Sequence, residues 1–147
     1  MSSQATPSAV FARVQASLLR QGMMQHLGVS LISAEPGRCV LAMPYTDKVT
    51  QQQGGFHGGA MGALADIAGG YAGLTVAPEG MEIVTVEYKI NFISACQGGE
   101  LRATGQVLKA GKRIIIASAE VLHLGADGQT RVCAAMQQTL MPVPQNY

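Results

Sequence analysis

The sequence predicts an α+β fold in which a curved antiparallel sheet of five to six strands wraps around one long central helix. Three observations predict it. The stretch from about Gly58 to Val76 is the one long helical segment, and it is built mainly of Gly and Ala. From Met81 the hydrophobic period changes to two, with Val84, Val86, Tyr88, Ile90 and Phe92 alternating against Thr85, Glu87, Lys89 and Asn91. Three further apolar runs follow with glycine-bearing breaks between them, and a run of strands after one helix argues for segregated rather than alternating α and β. At 147 residues the chain reads as one domain, 1–147, large enough to bury roughly two-thirds of its unfolded surface.

Taken in order, Ser8 can cap a short helix over about Ala9 to Gln21, where Val10, Val14 and Leu18 form one apolar stripe and Gly22 is the expected stop. Leu27–Ala34 and Arg38–Pro44 read as strands around the turn Glu35-Pro36-Gly37, and Asp47 to Gly55 as a loop. Pro78 and Gly80 stop the central helix. Each of its glycines costs about 1 kcal/mol relative to alanine, so a helix this thin makes sense where other backbone must come very close. After the period-two strand, Leu101–Lys109, Arg113–Leu124 and Thr130–Met141 are expected as strands. Ala110-Gly111-Lys112 and Gly125-Ala126-Asp127-Gly128 join them, and Pro142 and Pro144 close the chain.

Composition excludes several classes of function. The net charge of +1 comes with no Lys/Arg run, so there is no electrostatic footprint for nucleic acid. Gly58 to Ala77 approaches the length of a membrane span, but Gly and Ala contribute little to insertion, and Asp66 at mid-span costs about 2.5–3.5 kcal/mol. A buried helix is the better reading. Apolar residues make up 48% of the chain against 13% charged, a charge-poor balance that points to surface covered by another subunit. Cys39, Cys96 and Cys133 form no CxxC pair and read as reduced, buried residues of a cytoplasmic protein; the N-terminal segment has no apolar signal core. His26, His57 and His123 lack metal-ligand spacing, and no cofactor motif is present.

The chemistry concentrates in Gln51–Asp66, QQQGGFHGGAMGALAD, which combines an amide, a glycine turn, a histidine, a Gly-Gly helix start and one carboxylate. A helix that begins in glycine exposes backbone N–H groups to a ligand oxygen without side-chain obstruction. Asp66 is the obvious base nearby. No Ser-His-Asp set is evident, and the segment has no cysteine.

Q-x-x-G-x-F-H-G-G with Asp nine residues after the His, together with the downstream run VEYKINFISACQGGELRATGQVLKAGKRIIIASAEV, resembles the hotdog-fold acyl-CoA thioesterases of the phenylacetyl-CoA thioesterase-like branch. The resemblance covers most of the chain. It implies that Asp66 is the catalytic carboxylate, as general base on water or as nucleophile, and that the Gly58 N–H polarises the thioester carbonyl. It also implies that His57 and Gln51 line the site. Gly58 and Gly59, at the helix start, could serve both packing and oxyanion binding. Thr85 matches a Ser/Thr near the site in some members, although period two places it opposite the apolar face. Lys109, Lys112 and Arg113 flank one turn and could meet the phosphates of coenzyme A or simply be solvated. His57 could equally be a capping residue.

Gly58 and Asp66 are separated by about 12 Å of helical rise, too far for one chain to bring both to the same carbonyl. Antiparallel helices across a dyad would bring Gly58 of one subunit to Asp66 of the other. A homodimer with shared sites follows, and the resemblance adds pairing of dimers into a tetramer. Two other readings keep the same fold: an acyl-CoA binding or sensing module without catalysis, and a hydratase or dehydratase.

Overall fold

Ser8 caps the first helix, α1 (Ala9–Leu18), by accepting the Phe11 N–H at 3.1 Å in the computed structural model, which describes residues 6–147. The start of the N-terminal segment read above as signal-free therefore lies outside the described residues. Val14 and Leu18 are buried as the stripe predicts. The helix is shorter than expected, and Gly22 does not stop it. Arg20 and Gln21 donate to carbonyls three residues back, a tightened last turn, and Gly22 then opens a second helix, α2 (Gly22–His26). That pivot lets Ser17 and Gln21 converge on the Tyr71 hydroxyl at 3.0 and 2.7 Å.

Gly28, at φ 75°, turns the chain into β1 (Ser30–Glu35), which begins later than expected because Leu27 caps α2. β2 (Arg38–Pro44) has the expected bounds, and a 3-10 turn at Asp47–Val49 leads into the loop before α3 (Gly58–Leu74). α3 stops two residues early. Thr75 Oγ1 donates back to the Ala72 carbonyl at 2.6 Å and accepts the Gly37 N–H at 2.8 Å, pinning the helix end to the β1–β2 turn.

Four long strands complete the fold: β3 (Met81–Phe92), β4 (Glu100–Ala110), β5 (Ile115–Leu124) and β6 (Thr130–Pro144). All pairings are antiparallel, and the six strands form one sheet in the order β1-β2-β4-β5-β6-β3, with α3 packed against its inner face. β5 starts two residues late because Gly111 and Ile114 close the hairpin. β6 runs through Pro142 and Pro144, where a stop was expected. Its pairing with β5 ends at Leu140, so beyond it β6 has a neighbour on one side only and a missing N–H is tolerated.

The thin helix has the close approach that its composition predicts. A Cβ at Gly105 of β4 would lie 2.0 Å from the Ala68 carbonyl oxygen of α3, so strand and helix meet backbone to backbone. A Cβ at Gly73 would lie 2.7 Å from Leu140 Cδ1.

β3 departs from the period-two reading in two ways. Thr85 pairs with Leu140 and Glu87 with Thr139, so Val86 is an extra residue, a β-bulge. The bulge reverses the parity of the strand. Ile83 and Thr85 share the inward face of Pro142 and Leu140 on one side of it, and Tyr88, Ile90 and Phe92 share the face of Gln138, Met136 and Ala134 on the other. Val84 and Val86 point away from α3, contrary to the simple alternation. The strand is also far more exposed than half-buried within one chain, because β3 is a sheet edge with β6 on one side only.

Candidate active site

The loop before α3 is tied down at each step. Phe56 donates to the Cys96 carbonyl at 2.8 Å and packs edge-on against Tyr45 and His123, and the His57 N–H reaches the Val49 carbonyl at 2.7 Å. Gln51 closes the preceding turn through its backbone, donating to the Gly55 carbonyl and accepting from Gly54, each at 2.9 Å. Its side-chain oxygen accepts the Gln53 N–H. Gln51 thus shapes the approach to the helix.

His57 is the helix cap. Its backbone is extended at φ −69°, ψ 136°, and its Nδ1 accepts the Gly59 N–H at 2.7 Å. The His57 carbonyl takes the N–H groups of Ala60 and Met61, each at 3.0 Å. The first turn is therefore satisfied at every amide except Gly58, which has no acceptor among the described residues. Gly59 is engaged and has no free donor. A lone N–H at the positive end of a seventeen-residue helix is a ready anchor for a polarised oxygen.

Asp66 lies two turns further along α3, partly exposed. Its Oδ1 accepts from Thr85 Oγ1 at 2.7 Å and from Gln138 Nε2 at 2.8 Å, and its Oδ2 has no partner among the described residues. The bulge at Val86 is what turns Thr85 toward the helix. Gln138 is 1% exposed, and its Oε1 has no donor, a burial that costs about 1–3 kcal/mol. A Cβ at Gly69 would lie 1.7 Å from that oxygen, so the amide occupies the space the missing side chain leaves. The sequence reading missed Gln138. Its signal was a polar residue on the inward parity of β6, between Met136 and Leu140, masked by the equally polar Gln137 and Thr139 on either side.

A pocket of about 70 Å³ opens beside this carboxylate, and its lining includes Asp66, Thr85, Gly70, Ser17, Tyr71 and Glu82. Burial raises the Tyr71 hydroxyl above the usual phenol range, and the bonds to Ser17 and Gln21 work against that rise. The remaining residues read from the sequence lie elsewhere. Lys109, Lys112 and Arg113 are exposed at the β4–β5 turn, and that end of the sheet is fixed to the C-terminus of α3 through Val107, Gly37 and Thr75. Gly58 is at the other end of the helix, about 25 Å away along its axis. One chain does not bring these cations to the Gly58 amide.

Residues 53–127, which include α3 and β3 to β5, match the family described as the Thioesterase superfamily. A provisional esterase of Saccharolobus solfataricus is 37% identical over 107 residues, covering 73% of this chain and 74% of the relative. The 1,4-dihydroxy-2-naphthoyl-CoA hydrolase of Listeria monocytogenes is 32% identical over 62% of this chain and 74% of its own length. Among solved structures, a thioesterase family protein from Silicibacter pomeroyi superposes with a TM-score of 0.89 at 34% identity, covering 93% of this chain and all of that one. The six-stranded sheet around one long helix is the hotdog thioesterase fold, and the chain belongs to the thioesterase superfamily of thioester hydrolases.

Proposed function

We propose that the protein hydrolyses an acyl-CoA thioester to a carboxylic acid and free coenzyme A, at a site shared between two copies of the chain. The observation that carries the reading is the Gly58 amide, the one N–H of the first turn of α3 left without an acceptor among the described residues. A thioester carbonyl gains negative charge as it is attacked, and one preorganised donor aimed at that charge contributes about 2.7–4 kcal/mol in comparable systems. Asp66 supplies the acid-base partner. Its free Oδ2 can take a proton from water or attack the carbonyl carbon itself, while Oδ1 stays held by Thr85. The matched Listeria relative is named as a hydrolase of a CoA ester, which supports coenzyme A as the leaving group.

The shared site rests on distance and on the sheet edge. Gly58 and Asp66 differ by about 12 Å along one helix, so a carbonyl bound at one needs the other from a second chain. β3 presents an unpaired edge, with Val84, Val86, Tyr88, Phe92 and Ile93 each between 41 and 59% exposed in the single chain. An open apolar edge strand is a template for pairing with a second copy. Antiparallel α3 helices across that edge would also carry the Lys109–Arg113 turn of one chain toward the Gln51 loop of the other. The three cations would then be placed for the coenzyme A phosphates, with His57 and Gln51 lining the entrance.

The direct test is thiol release across a panel of acyl-CoA substrates, comparing wild type with Asp66→Asn. The variant is expected to lose at least about a hundredfold in kcat while remaining folded. Activity within threefold of wild type would refute the role of Asp66, and tight acyl-CoA binding without turnover in the wild type would favour a binding module.

A further inference from the structure

We propose that Gln138 is a positioning residue for Asp66, one that fixes which carboxylate oxygen is free to react. The inference rests on the assignment of Asp66 above.

Two donors converge on the same oxygen. Thr85 Oγ1 and Gln138 Nε2 both bond Oδ1, at 2.7 and 2.8 Å, and Gln138 Nε2 also lies 3.4 Å from the Asp66 backbone carbonyl. With Oδ1 tied from the β3 and β6 sides, rotation about the carboxylate bond is arrested and Oδ2 is presented alone. A Thr85 bond by itself would allow the two oxygens to exchange.

The chain keeps this amide at a cost. Gln138 is the one fully buried amide side chain among the described residues, and its Oε1 accepts nothing. Stability alone would favour an apolar residue there, beside Met136 and Leu140. The opposite amide orientation would set one acceptor, Oε1, against another, Asp66 Oδ1. Gly69 then follows. Any side chain at Gly69 would meet Gln138 Oε1, at 1.7 Å for a Cβ, and would drive the amide off Asp66.

Gln138→Met, which keeps the length and removes the donor, separates a positioning role from a structural one. The expected result is a fall in kcat of about tenfold or more, with KM within about threefold and the thermal midpoint unchanged or raised. Gly69→Ala should lower kcat by a similar factor through displacement of the amide, and should add little in the Gln138→Met background. Gly69→Ala alone answers the question if the methionine variant folds poorly. Full kcat in Gln138→Met or in Gly69→Ala, alongside an inactive Asp66→Asn, overturns the role of Gln138 alone. Activity surviving in Asp66→Asn would instead bring down the reading on which this proposal rests.

Discussion

Thr85 Oγ1 donates a 2.7 Å hydrogen bond to Asp66 Oδ1 because Val86, the next residue, is one more than the ladder needs. Without the bulge, Thr85 would share a face with the solvent side of β3 and the carboxylate would lose this partner. Thr85→Ala is therefore expected to lower kcat by about tenfold, the worth of a hydrogen bond to a charged group. Thr85→Ser, which keeps the hydroxyl, should stay within about threefold. Steady-state kinetics on the two variants checks this, and equal losses in both would contradict it.

His57 is expected to act on stability first. Its Nδ1 satisfies the Gly59 N–H, so His57→Ala should destabilise the protein by about 0.5–2 kcal/mol in chemical denaturation. His57→Asn can cap in the same way and should recover most of that loss. A destabilisation that the asparagine fails to relieve would mean that the cap is not what the ring contributes.

The glycines of the helix–sheet contact are expected to separate sharply. Gly105→Ala puts a methyl 2.0 Å from a backbone oxygen, which no side-chain movement relieves, and should cost more than about 3 kcal/mol or abolish folding. Gly70→Ala meets nothing within 4 Å and sits inside α3, so it should gain up to about 1 kcal/mol. Unfolding midpoints of the two variants check the contrast.

Stability should fall at alkaline pH. Burial pushes the Cys39 thiol up to about 12 from its ordinary 9.0. A raised acid contributes stability that is complete below pH 9 and is lost as pH rises toward 12, because the unfolded chain releases the proton first. One such group gives a slope of about 1.4 kcal/mol per pH unit. Cys39→Ala should remove one proton from the measured dependence between pH 9 and 11. An unchanged slope would contradict the assignment.

The parts of the site carried by local pattern were legible in the sequence. A glycine-led helix start and a carboxylate among Ala, Leu and Ile are visible without knowing where the chain goes next. The thin central helix likewise announced the close approach that Gly105 and Gly73 make. The inward turn of Thr85, a residue that only the resemblance pointed to, and the role of Gln138 were not legible in the pattern, for different reasons. The bulge falls in Thr85-Val86-Glu87, where no glycine or proline marks it and a β-branched valine looks like regular strand. Gln138 depends on a register between β6 and α3 set by contacts 72 residues apart. The early end of α1 was equally hidden, since the contacts that go with it are made to Tyr71, far along the chain. The exposure of β3 has the same character, because period two describes a half-buried strand while the sheet order makes this one an edge.

The central claim, one amide and one carboxylate from different chains acting on the same carbonyl, is tested most directly by mixing two inactive variants. Gly58→Pro removes the free N–H at the first helical position, where proline is well tolerated, and His57 already has the extended backbone that precedes proline. Asp66→Asn removes the carboxylate. Each homodimer should be inactive. Refolded together in equal amounts, they should regain one working site per mixed dimer, about a quarter of wild-type turnover per chain. Mixed dimers that form from folded chains and show no recovered hydrolysis would contradict the shared site.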